Sequence, residues 1–378
     1  MTGINFIKQI ADNKIKEFYN LGYVPAGNNG PYGDKDTPVR NTAHWLVTYG
    51  FLYEIFKEPE YKSISKVLAE FLLKEENYGE SGAIRIRTDT KLSDTNGLIG
   101  QAWTIEGLIS AARLFKDDIY YNKALSVFYA QFFDERLRLW KIVETTGNID
   151  GLDYVFNHQL WFAAAGSQIL DYRFDAKINE MIKMFLNNYK ISFGVHKSGL
   201  IYHLTNYDRT LWAILKFPIK ILMGDLQVSN KYKELVYLEK GYHLFNLFGF
   251  ALLYHRYRQL PIFRSKKFQR ALYYGLNPGN VSKLYISKKN FNKYAYPYNS
   301  PAFEYPFIAG VFLSKEDKNF TENLLEIQKS LTFSPKTMEF RNNTADANTL
   351  TARIYELVRY YQICNETHGM GEINEKRQ

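Results

Sequence analysis

The 378-residue sequence has a single cysteine, Cys364, which excludes an internal disulfide and suits a reducing compartment. It lacks any apolar run long enough to cross a bilayer; the nearest, residues 242–254, is interrupted by His243 and Asn246. The N-terminus, MTGINFIKQIADNKIKEFYN, has no basic start followed by an apolar block, so no secretory signal is read and the cytoplasm is the expected location. There is no Walker A loop, no G-x-G-x-x-G and no G-x-S-x-G elbow, so nucleotide-dependent and serine-nucleophile chemistries lose ground. The seven histidines include no H-E-x-x-H and no pair at ligand spacing on one helix, and neither a metal nor another cofactor is expected. The net charge of +9 is spread through short groups such as RSKKFQR and KKNFNK, without a basic helix or finger spacing. That distribution argues against nucleic acid and leaves an anionic substrate as a use for the excess.

What the chain does have is a rhythm of paired helices. Residues 41–57 are apolar on most sides, whereas 61–75 keep Tyr61, Ile64, Val67, Leu68, Phe71 and Leu72 on one face against Lys62, Lys66 and Glu70 on the other. An enclosed helix followed by an amphipathic cover recurs at 97–116 with 118–133, 154–171 with 175–189, 233–256 with 262–275, and 299–314 with 320–332. The last segment, 346–364, has no successor and the first, 4–19, no predecessor; joining them makes a sixth pair and closes a ring. Short β-like stretches punctuate the pairs at AIRIRT (83), RLWKIVE (138), FGVHKSGLIYHL (193), KLYISK (283) and KTMEFR (336). No Pro/Gly/Ser-rich linker divides the chain. The expected fold is all-α, an (α/α)6 toroid with short β-hairpins between the pairs. It forms one domain over 1–378, with an insertion at 207–231 broken by Pro218 and a flexible tail at 368–378. An α-solenoid is the alternative, but it calls for polar end caps rather than two matching loose ends.

In a ring, the enclosed helices run parallel and their N-terminal ends meet at one rim. Those ends carry Arg40, His44 and Trp45; Asp94, Asn96, Gln101 and Trp103; Asp153, Asn157, His158 and Trp161; Tyr242, His243 and Asn246; Asn299 and Glu304; and Arg353. Each has a plain reading as an N-cap, a core aromatic or an internal hydrogen-bonder. Their recurrence at the same end of every enclosed helix points instead to a funnel mouth. Helix N-termini favour anions, aromatic faces stack on sugar rings, amides read hydroxyls and arginine pairs with carboxylate. The expected ligand is therefore an oligo- or polysaccharide carrying negative charge. Arg40, His44, Trp45, Gln101, Trp103, Asn157, Trp161, His243, Asn299 and Arg353 are the candidate binding residues.

Over most of its length the pattern resembles the (α/α)6-toroid carbohydrate enzymes: N-acylglucosamine 2-epimerases, unsaturated glucuronyl hydrolases and the toroid uronate lyases. NGLIGQAW (96–103) adds to that likeness, and NHQLW is more specific. Toroid alginate lyases carry an Asn-His with Trp three residues after the His, and Asn157, His158 and Trp161 match that spacing. The resemblance implies that Asn157 helps neutralise a uronate carboxylate, that His158 is or assists the base, and that a loop tyrosine, Tyr202 or Tyr207, serves as acid or base. A second Asn of the lyase pattern is replaced here by Phe156. TLTARIYELVRYY near the C-terminus is similar to proteins of surface-glycan assembly clusters and to glucuronyl C5-epimerases.

Four functions follow in order. The first is proton abstraction at C5 of a uronic acid, with His158 as base, ending in β-elimination or epimerisation. The second is hydrolysis of the unsaturated glucuronyl type by paired carboxylates among Asp94, Asp153 and Glu304. The third is glycan binding without turnover, and the fourth is sugar 2-epimerisation or isomerisation by His158 with His243.

Overall fold

The computed structural model describes residues 3–89, 92–206, 226–286, 291–313 and 317–375. Six helices form the inner wall: α2 (Val39–Phe56), α4 (Gly97–Phe115), α6 (Phe156–Tyr172), α8 (Leu226–Tyr257), α10 (Pro301–Phe312) and α12 (Ile354–Glu375). Each packs on the next and α12 returns to α2, so the ring closes as an (α/α)6 toroid. The outer layer is α3 (Pro59–Leu73), α5 (Asp118–Tyr129), α7 (Ala176–Asn187), α9 (Lys266–Leu276) and α11 (Lys318–Thr332). The N-terminal helix α1 (Gly3–Leu21) covers α12 and α3, completing the sixth pair.

Sequence dictates the layers. In α7, Ile178, Ile182, Phe185 and Leu186 are buried at helical spacing, and Asp175 caps the start by accepting from the Lys177 and Ile178 amides. In α4 every residue from Gly97 to Ile109 is buried, which only an enclosed helix can satisfy. Gly107 lets α4 approach α2 closely: a Cβ there would stand 2.9 Å from the Ala43 Cα. No described helix is long and apolar enough to cross a membrane.

The β-like stretches only partly become strands. RLWKIVE supplies β2 (Leu139–Val143) between β1 (Phe132–Asp134) and β3 (Ile149–Leu152), and KTMEFR supplies β5 (Glu339–Phe340), paired with β4 (Phe333–Ser334). AIRIRT forms only isolated bridges, Tyr78 with Ile84 and Asp36 with Arg87, because the Gln101 side chain takes both the N–H and the C=O of Ile84. FGVHKSGLIYHL likewise makes single bridges, and KLYISK holds a 3-10 turn, Lys283–Tyr285. Helix α8 starts at Leu226, inside the expected insertion, so Tyr242 lies several turns from its N-terminus rather than near it. The segment expected as one helix at 346–364 is two: Ala347–Ala352, then α12, with Arg353 at the junction. Pro218 lies outside the described residues.

Candidate active site

The N-terminal ends of α4 and α6, the middle of α8 and the loops around them enclose a cavity of about 170 Å3. Arg353, Asn157 and Asn299 form its buried floor, and the 42% exposed Tyr32 marks its mouth. Among the described residues the lining contains two arginines, Arg87 and Arg353, two histidines, His158 and His203, four asparagines and no carboxylate.

His158 is the best-organised polar group. Its Nδ1 lies 2.8 Å from Asp153 Oδ2. A carboxylate only accepts, so Nδ1 carries the proton and Nε2 is left as the basic nitrogen. Asp153 is itself fixed: Oδ2 accepts the Leu98 amide in the first turn of α4, and Oδ1 accepts the Val155 amide. The close approach needs Gly97, whose φ of +63° is left-handed and whose missing Cβ would stand 2.5 Å from Asp153 Oδ2 and 2.9 Å from His158 Nδ1.

At the floor, Arg353 donates from Nη2 to Glu304 at 2.7 Å and lies 2.8 Å from Glu356, while its buried Nε has no partner among the described residues. Burial raises both glutamates above the usual carboxylate range, Glu356 to about 7, against the pull of Arg353. The guanidinium stands 5.0 Å from the Phe245 ring centre, and Phe245 stacks on Trp161. Asn157 Nδ2 and Asn299 Oδ1 are also buried without partners among the described residues. On another wall Tyr298 donates to Asn29 Oδ1 at 2.9 Å, and the Tyr32 and Tyr242 hydroxyls are 3.0 Å apart. Burial pushes His203 down to about 4, helped by the charge of His158, so this second imidazole is neutral at pH 7.

Of the residues expected from sequence, Asn96, Trp103, Asn157, His158, Tyr242, Asn299 and Arg353 line this cavity, and Asp153 stands directly behind His158. The others are elsewhere. Asp94 accepts from the Thr145 amide and hydroxyl and pairs with Arg85, anchoring the β2–β3 turn. Glu304 lies behind Arg353. Arg40 is buried beneath Trp103, 3.9 Å from its ring, and bonds Asn29 and Tyr298. His44 stacks on Tyr355, and burial and the nearby arginines hold its pKa well below the usual value. Trp45 packs on Phe18 and Tyr49, facing outward; Gln101 clamps Ile84; and Trp161 donates to the Phe245 carbonyl. His243 is bonded on both nitrogens, to Ile201 N and Ala271 O, on the far side of α8. Tyr202 packs its ring against His196, outside the lining, and Tyr207 lies outside the described residues. The site gains Asn29, Tyr32, Arg87, His203, Phe245 and Tyr298, which sequence reading had not singled out. Among them Arg87 sits in AIRIRT and His203 in FGVHKSGLIYHL, both read as β-like stretches, and Phe245 in the enclosed helix expected at 233–256. Among the described residues no group of three or more His, Cys, Asp or Glu is placed to hold a metal ion.

No known protein-family model matches the chain. Solved structures of similar shape include a D-mannose isomerase (TM-score 0.61, 14% identity, 93% of this chain and 97% of that one). Another is an unsaturated glucuronyl hydrolase specific for heparin (TM-score 0.51, 14% identity, 96% and 98%). At such identity these are likenesses of fold. A curated relative is much nearer in sequence: archaeal glycosylation protein Q of Haloferax volcanii is 31% identical over 347 residues, covering 89% of this chain and 92% of that protein. With that identity sustained over nearly the whole length of both, the chain belongs to the family of archaeal glycosylation protein Q.

Proposed function

We propose that the protein is a carbohydrate-processing enzyme of glycan assembly that moves a proton at C5 of a uronic acid, with epimerisation as the productive outcome. The observation that carries this reading is the cavity lining itself, which pairs an Asp-oriented histidine with arginine and amide groups and contains no carboxylate among the described residues. A C–H beside a carboxylate becomes removable when the carboxylate's charge is offset. The free Nε of Arg353 and the Asn157 amide are the groups for that task. His158 Nε2 takes the C5 proton, and Asp153 stabilises the imidazolium formed. The paired hydroxyls of Tyr242 and Tyr32 return a proton to the opposite face of C5, and the exposed Tyr32 recovers it from solvent. Burial keeps both phenols protonated at neutral pH. Departure of the C4 substituent instead would give β-elimination. The relative's role in glycosylation favours building a glycan over degrading one, and with it epimerisation. The paired-carboxylate hydrolase loses support because Asp94 and Glu304 are away from the lining. We treat the chain as one catalytic domain acting in the cytoplasm, where its one cysteine stays reduced.

A second reading has its own observation. His203 is neutral, with Nδ1 buried and unpartnered among the described residues, and lines the same cavity as His158. Two such imidazoles suit proton transfer between C1 and C2 of a neutral sugar.

One experiment separates the readings. Incubation in D2O with uronic acids and with neutral hexoses, free and as 1-phosphates, is followed by NMR. Deuterium entering C5 of a uronate, and lost in His158→Ala, is the expected result. Deuterium at C1 or C2 of a hexose would replace the first reading with the second. No exchange in any sugar would leave a binding protein.

A further inference from the structure

The two arginines of the lining occupy different depths. Arg353 is at the floor, with its side chain 2% exposed, whereas Arg87 comes from the loop before α4 and its side chain is 15% exposed. The loop holds Arg87 in place: its amide donates to the Asp94 carbonyl, its backbone bridges to Asp36, and its Nη2 lies 3.1 Å from Asp34 Oδ2. Asp34 also accepts from Asn29 Nδ2, so its charge is shared. The Arg87 Nε is buried and has no partner among the described residues. A guanidinium half-paired at a cavity wall, with a buried N–H unmatched, costs free energy unless a ligand completes it. A simple uronate has one carboxylate, which Arg353 takes on the reading given above, and that leaves Arg87 without a task.

We propose that the natural substrate carries a second anionic group beside the reacting sugar, held at the mouth by Arg87: a phosphate on C1, or the carboxylate of an adjoining acidic sugar. The inference rests on the uronate reading of the floor, but its site is separate. Guanidinium recognises either anion through parallel N–H donors, and the ligand would share Arg87 with Asp34, which stands outside the cavity lining.

The test is calorimetric binding of D-glucuronate, D-glucuronate 1-phosphate, a glucuronyl-glucuronate disaccharide and glucose 1-phosphate. The intact protein is expected to bind one of the two doubly charged sugars about tenfold or more tighter than D-glucuronate. Which one it favours identifies the source of the anion. Arg87→Gln should erase the preference and Arg87→Lys should keep part of it. Asp34→Asn separates binding from support of the loop. If Arg87 binds the anion, freeing it from Asp34 keeps or strengthens the preference; if Arg87 only pins the loop, Asp34→Asn loses the preference as Arg87→Gln does, and the proposal falls. It also falls if D-glucuronate binds and the second charge adds nothing, which leaves the uronate reading standing. If glucose 1-phosphate binds through Arg87 while D-glucuronate does not bind, the mouth site stands and the uronate reading falls. Failure of every sugar to bind overturns both.

Discussion

Asp153 Oδ2 accepts at once from His158 Nδ1, at 2.8 Å, and from the Leu98 amide that opens α4, at 3.0 Å. One carboxylate therefore sets the tautomer of the candidate base and ties the approach to α6 to the first turn of α4. The helix end also favours the carboxylate's negative charge.

Asp153→Asn tests the tautomer. An amide can donate to Nδ1, which would move the imidazole proton to Nε2 and abolish the base. We expect kcat to fall by about 100- to 10,000-fold with KM little changed, as loss of general-base catalysis requires. Steady-state kinetics on whichever sugar shows exchange would check this, and a variant with near-normal kcat would remove His158 from the role of base.

Gly97→Ala tests the geometry without touching a polar group. Alanine in a left-handed conformation costs about 1–2 kcal/mol, and its Cβ would also press on both members of the pair. Activity should fall well beyond what the modest drop in melting temperature explains. Circular dichroism alongside kinetics separates the two effects; unchanged turnover would mean that the 2.8 Å contact is dispensable.

The ring was legible because alternating enclosed and amphipathic helices leave a periodic trace, as α7 does with Ile178, Ile182, Phe185 and Leu186. The lumen-facing side of each inner helix was not. A helix buried all round, such as α4, has no polar face to orient it. Gln101 and Trp103 are two residues apart, hence on nearly opposite sides; one turns out to Ile84 and the other into the cavity. Tyr242 and His243, adjacent and so about 100° apart round the helix, also part, the tyrosine facing the site and the histidine turning to Ala271. Asn29, Tyr32 and Arg87 were missed for a different reason: they sit on loops, where local pattern says little about which side chains converge.

Arg40 and Asp36 are a buried pair beneath the site, each with its side chain 1% exposed and 3.6 Å apart. Burial raises the Asp36 carboxyl to about 6, with Arg40 opposing the rise. Arg40→Gln should destabilise the fold by about 3–5 kcal/mol, because it strands a buried carboxyl. Adding Asp36→Asn should recover part of that loss. Urea unfolding of the two single variants and the double variant measures the coupling; strictly additive losses would show that the pair contributes nothing as a pair.

His243 allows a clean test of acid sensitivity away from the cavity. Ile201 N donates to its Nδ1 at 3.2 Å and its Nε2 donates to the Ala271 carbonyl at 3.0 Å, an arrangement only neutral imidazole can make. Burial lowers its pKa from 6.5 to about 4, the Ala271 bond opposing. Between those values the unfolded chain holds a proton that the folded protein does not, so this residue's contribution falls as pH falls, by up to about 1.4 kcal/mol per pH unit. His243→Gln loses the two hydrogen bonds and the titration together. The stability gap between the two proteins should therefore be full at pH 7 and narrow steadily toward pH 4. Groups elsewhere, including His203, His44 and the raised carboxyls, titrate in both proteins and cancel in the difference. Urea unfolding at half-unit intervals of pH gives the gap directly, and a gap that stays constant would show that His243 is not held neutral.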